Sequence, residues 1–296
     1  MRWPCISRNR TDRLQVRAAA LLLAPSLTGV AVFYLIPFAE VIRRNFTDAP
    51  GRRFVGLANY QSVLSNSAFH TAASNTARFL CVCIPALLIL SLGMALLTRA
   101  AGRYGRLYQT SFLLPLAIPV ASIVLLWNVL FSQTGLINAM LQTLGAQPVD
   151  FMGTGAAFWV LIATYLWKNS GYDMVLWAAG LDRIPAAQYE AAAVDGANGW
   201  QTFRWITWPG LAPTLGLTAL LSLINSFKVF REAYLVAGQY PHESMYLLQH
   251  LFNNWFLNLE LGRITAAAVL IVGGLLALAG LFMAGKHLLQ RKRKQC

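Results

Sequence analysis

The stretch Phe79–Thr98 reads FLCVCIPALLILSLGMALLT, 20 residues without a charge, held between Arg78 and Arg99. A helix rises 1.5 Å per residue, so about 20 residues cross the ~30 Å hydrocarbon core of a bilayer. Only a helix or a closed barrel satisfies its backbone there, and this run is too long and too evenly apolar for a barrel strand. Working outward, other charge-free gaps give further spans. Ala18–Ala39 is a run of 22 residues holding Pro25 and Pro37. The gap Leu107–Val149 is too long for one span, and its apolar part is Leu107–Phe131. A fourth span starts near Phe151, runs to Trp167 and continues through a polar patch into Met174–Leu181. Trp205–Phe227 covers 23 residues, with Pro209 and Pro213 near its start, and Ile264–Gly285 covers 22. The reading is an all-α integral membrane protein of six transmembrane helices.

Composition agrees. Of 296 residues 57% are hydrophobic and 12% charged, about half the ~25% charged share of soluble domains. Mean hydropathy is +0.51, which excludes a disordered chain and argues against an ordinary water-soluble enzyme. A net charge of +13 would fit nucleic acid in a soluble protein, but the apolar runs put that reading second. Cys5 and Cys296 lie in the tails, Cys81 and Cys83 in an apolar run, and their spacing favours no pairing. His70, His242, His250 and His287 form no metal-ligand pattern. The first span is longer than a signal-peptide core and has no small-x-small cleavage site after it, so it is expected to remain.

Lysine and arginine bias sets orientation. With six spans, fifteen basic residues fall on the side of both termini and eight on the other, Lys168 lying inside the fourth span. Both termini are therefore placed in the cytoplasm. The organisation is a basic tail over 1–17, a transmembrane domain over 18–285 and a basic tail over 286–296. Five arginines in the first external loop (Arg43, Arg44, Arg52, Arg53, Arg78) run against the bias.

The segment between the fourth and fifth spans, LDRIPAAQYEAAAVDGANGWQTFRWITWPGLAP (Leu181–Pro213), is not a flexible connection. Pro185 suits a first helical turn, and Ala186–Val194 are strong helix formers. Asp195-Gly196 reads as a turn, because glycine reaches positive φ without steric cost. A second short helix, about Trp200–Trp208, is expected to stop at Pro209. Two short helices meeting at a glycine make a knob outside the membrane. Tyr189, Trp200, Phe203 and Ile206 supply apolar anchors of the kind that dominate protein interfaces.

Glu190-Ala191-Ala192, then Gly196, then Ile206-x-x-Pro209 resembles the EAA loop of bacterial binding-protein-dependent ABC transporter permeases. Asp195, Ala197 and Phe203 fit the form found in the sugar-uptake branch, and Trp208 stands where the family usually has leucine. FVGLANYQSVL (Phe54–Leu64), Tyr108-Gln109-Thr110 and Leu114-Pro115 are similar to stretches of maltose- and glycerol-phosphate-type permeases. The likeness spans about Leu14 to Leu289. It implies that the loop, about 181–211, forms coupling helices on a cytoplasmic ATPase, with Glu190, Ala191, Ala192, Asp195, Gly196, Phe203, Ile206 and Pro209 as coupling residues. It also implies partners: a second, different permease subunit, two ABC ATPase subunits and an extracytoplasmic solute-binding protein, in a bacterial inner membrane. The expected role is ATP-driven import of a carbohydrate or related polyol, with no chemistry, cofactor, metal or nucleic acid of the chain's own.

An ionised group at mid-membrane costs roughly 2.5–3.5 kcal/mol on insertion scales, so it faces a cavity or a partner. At helical spacing Asn169, Tyr172 and Asp173 share one face of the fourth span, with Ser170-Gly171 as a kink. Ser222, Asn225 and Ser226 share a face of the fifth span, and Asn128 follows Trp127 in the third. Asn128, Tyr172, Asp173, Ser222, Asn225 and Ser226 are the candidate substrate-pathway residues, with Trp127 and Tyr172 offering flat faces to sugar rings. The same groups also suit interhelical hydrogen bonding. Gly280-x-x-x-x-Gly285-Lys286 imitates a phosphate loop, but His287 replaces the Ser/Thr and the glycines sit in an apolar span. Small residues Gly273, Gly274, Ala277 and Gly280 suit close helix packing there. The competing reading is a secondary transporter driven by an ion gradient, which calls for paired buried carboxylates and repeated halves. Asp173 alone lies inside a span on this reading, and no repeat is visible.

Overall fold

A computed structural model of the chain describes residues 10–47 and 53–293. Its α-helices run α1 (Arg10–Val30), α2 (Ile36–Arg44), α3 (Ala58–Leu64), α4 (Ser67–Ala100), α5 (Gly105–Ala117), α6 (Val120–Phe131), α7 (Leu136–Thr143) and α8 (Ala156–Asp182). They continue with α9 (Ala186–Val194), α10 (Gly199–Thr202), α11 (Trp208–Gly210), α12 (Ala212–Ser226), α13 (Phe230–Ala237), α14 (Leu248–Leu257) and α15 (Leu261–Arg293). The described residues hold no β-strand, only an isolated bridge between Thr47 and Phe54. The all-α expectation holds. Among the described residues four helical stretches are long and apolar enough to cross a membrane: Ala18–Arg44, Ser67–Ala100, Val120–Thr143 and Ala212–Ala237. Leu261–Ala277 is a shorter apolar helix, and α8 has the length but carries Lys168 and Asp173. Residues 1–9 and 294–296 of the two basic tails, with Cys5 and Cys296, lie outside the described residues, as does Arg52.

Prolines explain where the helices depart from the sequence reading. The single third span over Leu107–Phe131 is broken: Ile118 (ψ 126°) and Pro119 (ψ 143°) are extended between α5 and α6. A residue before proline is disfavoured in the helical region, and Ile118 obeys that restriction. Pro37 and Pro209 are handled differently. Each lies two residues beyond a five-residue π-helical turn, Ala31–Leu35 and Phe203–Thr207. A π turn widens the helix and forfeits one i→i−4 bond, so the missing proline N–H and its crowded ring are accommodated. The helix expected to stop at Pro209 therefore continues through α11 to Leu211, where α12 takes over. The fifth helical run then reaches Ala237, ten residues past the expected Phe227.

The chain packs as two compact units, Ser67–Asn254 on one hand and the ends up to Asn66 and from Trp255 on the other. In the central unit α8 is the hub, lying against α4, α5 and α12. One apolar cluster gathers Phe79, Cys83, Leu87, Ile123, Trp127, Phe158 and Leu161; another gathers Ala95, Met174, Trp177, Leu181, Ile184 and Leu211. Burial against lipid tails carries little hydrophobic drive, so close packing and interhelical hydrogen bonds must hold the helices together. Trp177 Nε1 donates to Ser91 Oγ at 3.0 Å, and Tyr165 Oη donates to the Ser222 carbonyl at 2.9 Å. The Leu248 N–H is accepted by Thr76 Oγ1 at 3.0 Å. Buried His250 has its imidazole pushed down to about 4 by desolvation, so it stays neutral and Nδ1 accepts the Leu247 N–H at 3.2 Å.

In the terminal unit α3 packs on α15, and Asn59 Nδ2 donates to the carbonyls of Asn45 and Thr47. Two of the five contrary arginines are accounted for here: Arg43 and Arg44 both bind Glu40, at 2.7 and 3.0 Å. A third, Arg78, stacks on the Phe158 ring at 4.5 Å in the central unit. Gly273, Gly274 and Gly280 have no atom within 4 Å of where a Cβ would stand, so they make no close packing among the described residues.

Close approach falls on other glycines. α8 shows no break at Ser170-Gly171, where a kink was expected. Gly171 is needed instead because a Cβ there would lie 1.9 Å from the Phe112 carbonyl oxygen in α5. Gly171→Ala is therefore expected to push α5 off α8 and cost about 1–3 kcal/mol, as overpacking does. The thermal midpoint of the detergent-purified protein measures it; an unchanged midpoint would contradict this packing.

Candidate functional site

Two features outside the plain lipid-facing surface carry chemistry, a knuckle at one end of α8 and a polar cavity beside its middle. The knuckle begins where Pro185 introduces α9. The Gly196 N–H bonds the Ala193 carbonyl at 3.2 Å and the Ala197 N–H bonds the Ala192 carbonyl at 2.9 Å, with Gly196 at φ 73°. This is a Schellman ending, which places a left-handed residue after the last helical turn and favours glycine there. Two residues later Asn198 caps α10: Gln201 N–H donates to Asn198 Oδ1 at 2.9 Å, and Asn198 N–H donates to Gln201 Oε1 at 2.8 Å. Reciprocal capping of this kind fixes the angle at which the second helix leaves.

The knuckle has an inner and an outer face. Tyr189 and Ile206 pack against the cluster around Leu181, Ile184 and Leu211, and Tyr189 Oη meets Thr207 Oγ1 at 3.2 Å. Arg99 lies 5.1 Å over the Tyr189 ring and donates to the Leu181 carbonyl at 3.1 Å. Two of the four expected interface anchors, Tyr189 and Ile206, thus hold the knuckle to its own chain. Outward stand Val194, Trp200 and Trp205, exposed to 88%, 71% and 72%. Phe203 stacks on Trp200 at 5.9 Å and touches Trp208 at 6.3 Å. Glu190, Ala191, Asp195, Gly196 and Pro209 are exposed, with Ala192 half-buried.

The cavity, about 290 Å³, is lined from α8 by Thr164, Tyr165, Lys168, Asn169 and Tyr172. From the opposite side come Asn225, Lys228, Arg231 and Glu232. Lys168 and Glu232 form an ion pair across it, their side chains 15% and 7% exposed. Lys228 Nζ donates to Asn225 Oδ1 at 2.7 Å. Of the expected pathway residues, Tyr172 and Asn225 thus line one cavity. Asp173 and Ser222 do not: Ser222 Oγ donates to Asp173 Oδ2 at 2.5 Å, buried between α8 and α12. Ser226 is buried and bonds its own helix at the Leu223 carbonyl. Asn128 is exposed away from the cavity, and Trp127 is built into the apolar core.

Glu232 escaped the sequence reading because it lies beyond the charge-free gap. A lysine stranded in a span signals a hidden acid, but the partner is 64 positions away. The statement that Asp173 alone lies inside a span is corrected, since the apolar run Ala212–Ala237 carries Glu232 inside it.

The chain is similar to known proteins in both sequence and fold. Residues 87–294 match the family model of the binding-protein-dependent transport system inner membrane component. The trehalose/maltose transport system permease protein MalF of Thermococcus litoralis is 33% identical over 80% of this chain and 83% of its own. The sn-glycerol-3-phosphate transport system permease protein UgpA of Agrobacterium fabrum is 30% identical over 87% of this chain and 90% of its own. In fold, the chain superposes with TM-score 0.77 and 23% identity on a crystal structure of a bacterial ABC transporter involved in import of the acidic polysaccharide alginate. That likeness covers 94% of this chain and 97% of the other.

The ion pair makes a sharp prediction. Glu232→Ala leaves Lys168 charged and alone, which typically costs about 3–5 kcal/mol, whereas Lys168→Met with Glu232→Leu removes both charges and recovers most of it. Thermal midpoints of the purified variants check this; equal loss in the single and the double variant would contradict it.

Proposed function

The chain belongs to the family of binding-protein-dependent transport system inner membrane components, and on that premise we propose that it forms the translocation pathway of an ATP-driven importer for a carbohydrate or related polyol. It is a transport subunit that breaks no bond itself. The observation carrying the reading is the knuckle, a rigid bent helix pair projecting an aromatic face outward while anchored to α8 and α12 on its inner side. Two of its relatives, named for trehalose/maltose and glycerol-phosphate transport, support the substrate class. The competing secondary-transporter reading finds no support in these relatives.

The proposed topology is six crossings over 18–285, with basic tails 1–17 and 286–296 and the loop over 181–211 on the cytoplasmic side. The proposed partners are a second, different permease, two ABC ATPase subunits docked under the knuckle and an extracytoplasmic solute-binding protein, in the bacterial inner membrane. ATP binding closes the ATPase pair; the docked helices α9 and α10 follow, and the spans swing between inward- and outward-open states. Glu190, on the exposed side of α9, orients the helix by bonding the ATPase. Ala191, Ala192, Asp195 and Phe203 complete the contact, and Gly196, Ile206 and Pro209 hold its shape. Solute released by the binding protein passes the cavity at Tyr172 and Asn225. Asn128, Asp173, Ser222 and Ser226 serve the pathway less directly, Asp173 and Ser222 by fixing α8 against α12.

Uptake of radiolabelled sugar into proteoliposomes holding the whole importer, with ATP inside, tests the reading. Tyr172→Ala and Asn225→Ala are each expected to lower uptake roughly fivefold, the equivalent of one hydrogen bond of about 1 kcal/mol, while ATPase subunits co-purify in full amount. Unchanged uptake in both variants would remove these residues from the pathway.

A further inference from the structure

The cavity beside α8 is charged in a lopsided way. Four ionisable side chains of fixed charge line it: Lys168, Lys228, Arg231 and Glu232. Glu232 is committed to Lys168, so that pair sums to zero. Lys228 has only the neutral Asn225 amide oxygen, and Arg231 makes no hydrogen bond or ion pair among the described residues. Neither cation has a carboxylate within 4 Å among those residues. Two positive charges, both on exposed side chains, therefore border the void and attract an anion over about a Debye length, ~8–10 Å at moderate salt.

The rest of the lining suits a hydroxylated molecule. Tyr172, Asn169 and Thr164 contribute hydroxyl and amide groups, while Leu116 and Val120 close one side with apolar surface. The volume, about 290 Å³, sits at the lower end of the ~300–1,000 Å³ of small-ligand pockets. A pathway for neutral sugars alone has no use for two cations without a carboxylate partner at its lining. Pairing with a carboxylate on a second subunit is the other way to compensate them. The two differ in what removing the cations does: loss of anion preference in the first case, loss of subunit assembly in the second.

We propose that this cavity selects an anionic solute, a saccharide or polyol bearing a carboxylate or a phosphate, with Lys228 and Arg231 taking the anionic group. Tyr172 and Asn225 take its hydroxyls. The proposal rests on the permease reading above and narrows its substrate class. Guanidinium offers a planar fork that matches a carboxylate or phosphate in a bidentate way, and the lysine supplies a mobile point charge beside it. Arg231 thus gives orientation and Lys228 gives attraction.

Binding to the detergent-purified transporter (both permeases and ATPases, without the binding protein) isolates the cavity. The probes are two matched pairs: digalacturonate with its dimethyl ester, and glycerol 3-phosphate with glycerol. The charged member of at least one pair should bind at least about tenfold more tightly than its neutral partner, and the preference should shrink in high salt. Which pair responds distinguishes a carboxylate from a phosphate. The double variant Lys228→Gln/Arg231→Gln should lose the preference, and Lys228→Arg should retain it. Equal binding within both pairs, no binding by any probe, or a preference surviving in the double variant overturns the proposal. So does failure of the double variant to co-purify with the second permease, which would assign the two cations to a subunit contact. ATP-driven uptake of a neutral sugar is read separately, so loss of the anion preference leaves the transport reading standing, and loss of all ATP-driven uptake strikes that reading instead.

Discussion

A backbone inside hydrocarbon has no water to bond, so each unpaired N–H or carbonyl there costs several kcal/mol. Prolines are the residues that break this rule, and the chain places them in or beside several of its apolar runs. Pro25, Pro85 and Pro115 stay inside α1, α4 and α5, while three others are met in two ways. At Ile118-Pro119 the helix is interrupted outright, giving α5 and α6 in place of one span. At Pro37 and Pro209 a π turn upstream absorbs the missing donor, and helical structure runs on. The second device lies directly beneath the knuckle, where it lets the helix pair continue almost without a break into α12. On the proposed docking, a push on the outer face is delivered to α12 rather than lost in a flexible joint.

The same economy governs charge. Lys168 and Asp173 sit on α8, the helix that packs against α4, α5 and α12, and each has a partner on the following helical run. Asp173 with Ser222 is closed off and structural, whereas Lys168 with Glu232 borders open space. These two contacts tie α8 to the fifth run at separate levels, one to α12 and one to α13. The knuckle is rooted on the same two elements, so on the proposed function these contacts are what links it to the cavity.

The apolar runs and the knuckle were legible in the sequence because hydropathy and turn chemistry are local, but span ends were not: the third run breaks at Ile118-Pro119 and the fifth extends to Ala237. The Gly196 turn is the clearest case, since glycine takes the left-handed position of a Schellman ending without steric cost. Faces were less legible. Asn169, Tyr172 and Asp173 share one side of α8 by spacing, yet Asp173 turns to α12 while the other two line the cavity. A helical wheel gives angles, and only neighbours decide which angle meets a void. Trp127 shows the same limit, being packed into the core where a sugar-facing ring was expected. Glu232 was hidden because a charge ends an apolar gap whether it leaves the membrane or is neutralised inside it. Gly171 was visible as a glycine, but its cause, the Phe112 carbonyl in α5, is a tertiary contact.

On the proposed function the bent pair α9–α10 meets an ATPase in the cytoplasm. Val194→Cys, at an exposed site on that pair and in a background with Cys5, Cys81, Cys83 and Cys296 replaced, tests it most directly. In membranes of cells expressing the whole importer, a short bifunctional maleimide should join this cysteine to a cysteine placed on the ATPase surface. A membrane-impermeant maleimide added to intact cells should leave it unlabelled. Labelling from outside the cell, or no crosslink from any ATPase position with the subunit shown to be present, would contradict the claim.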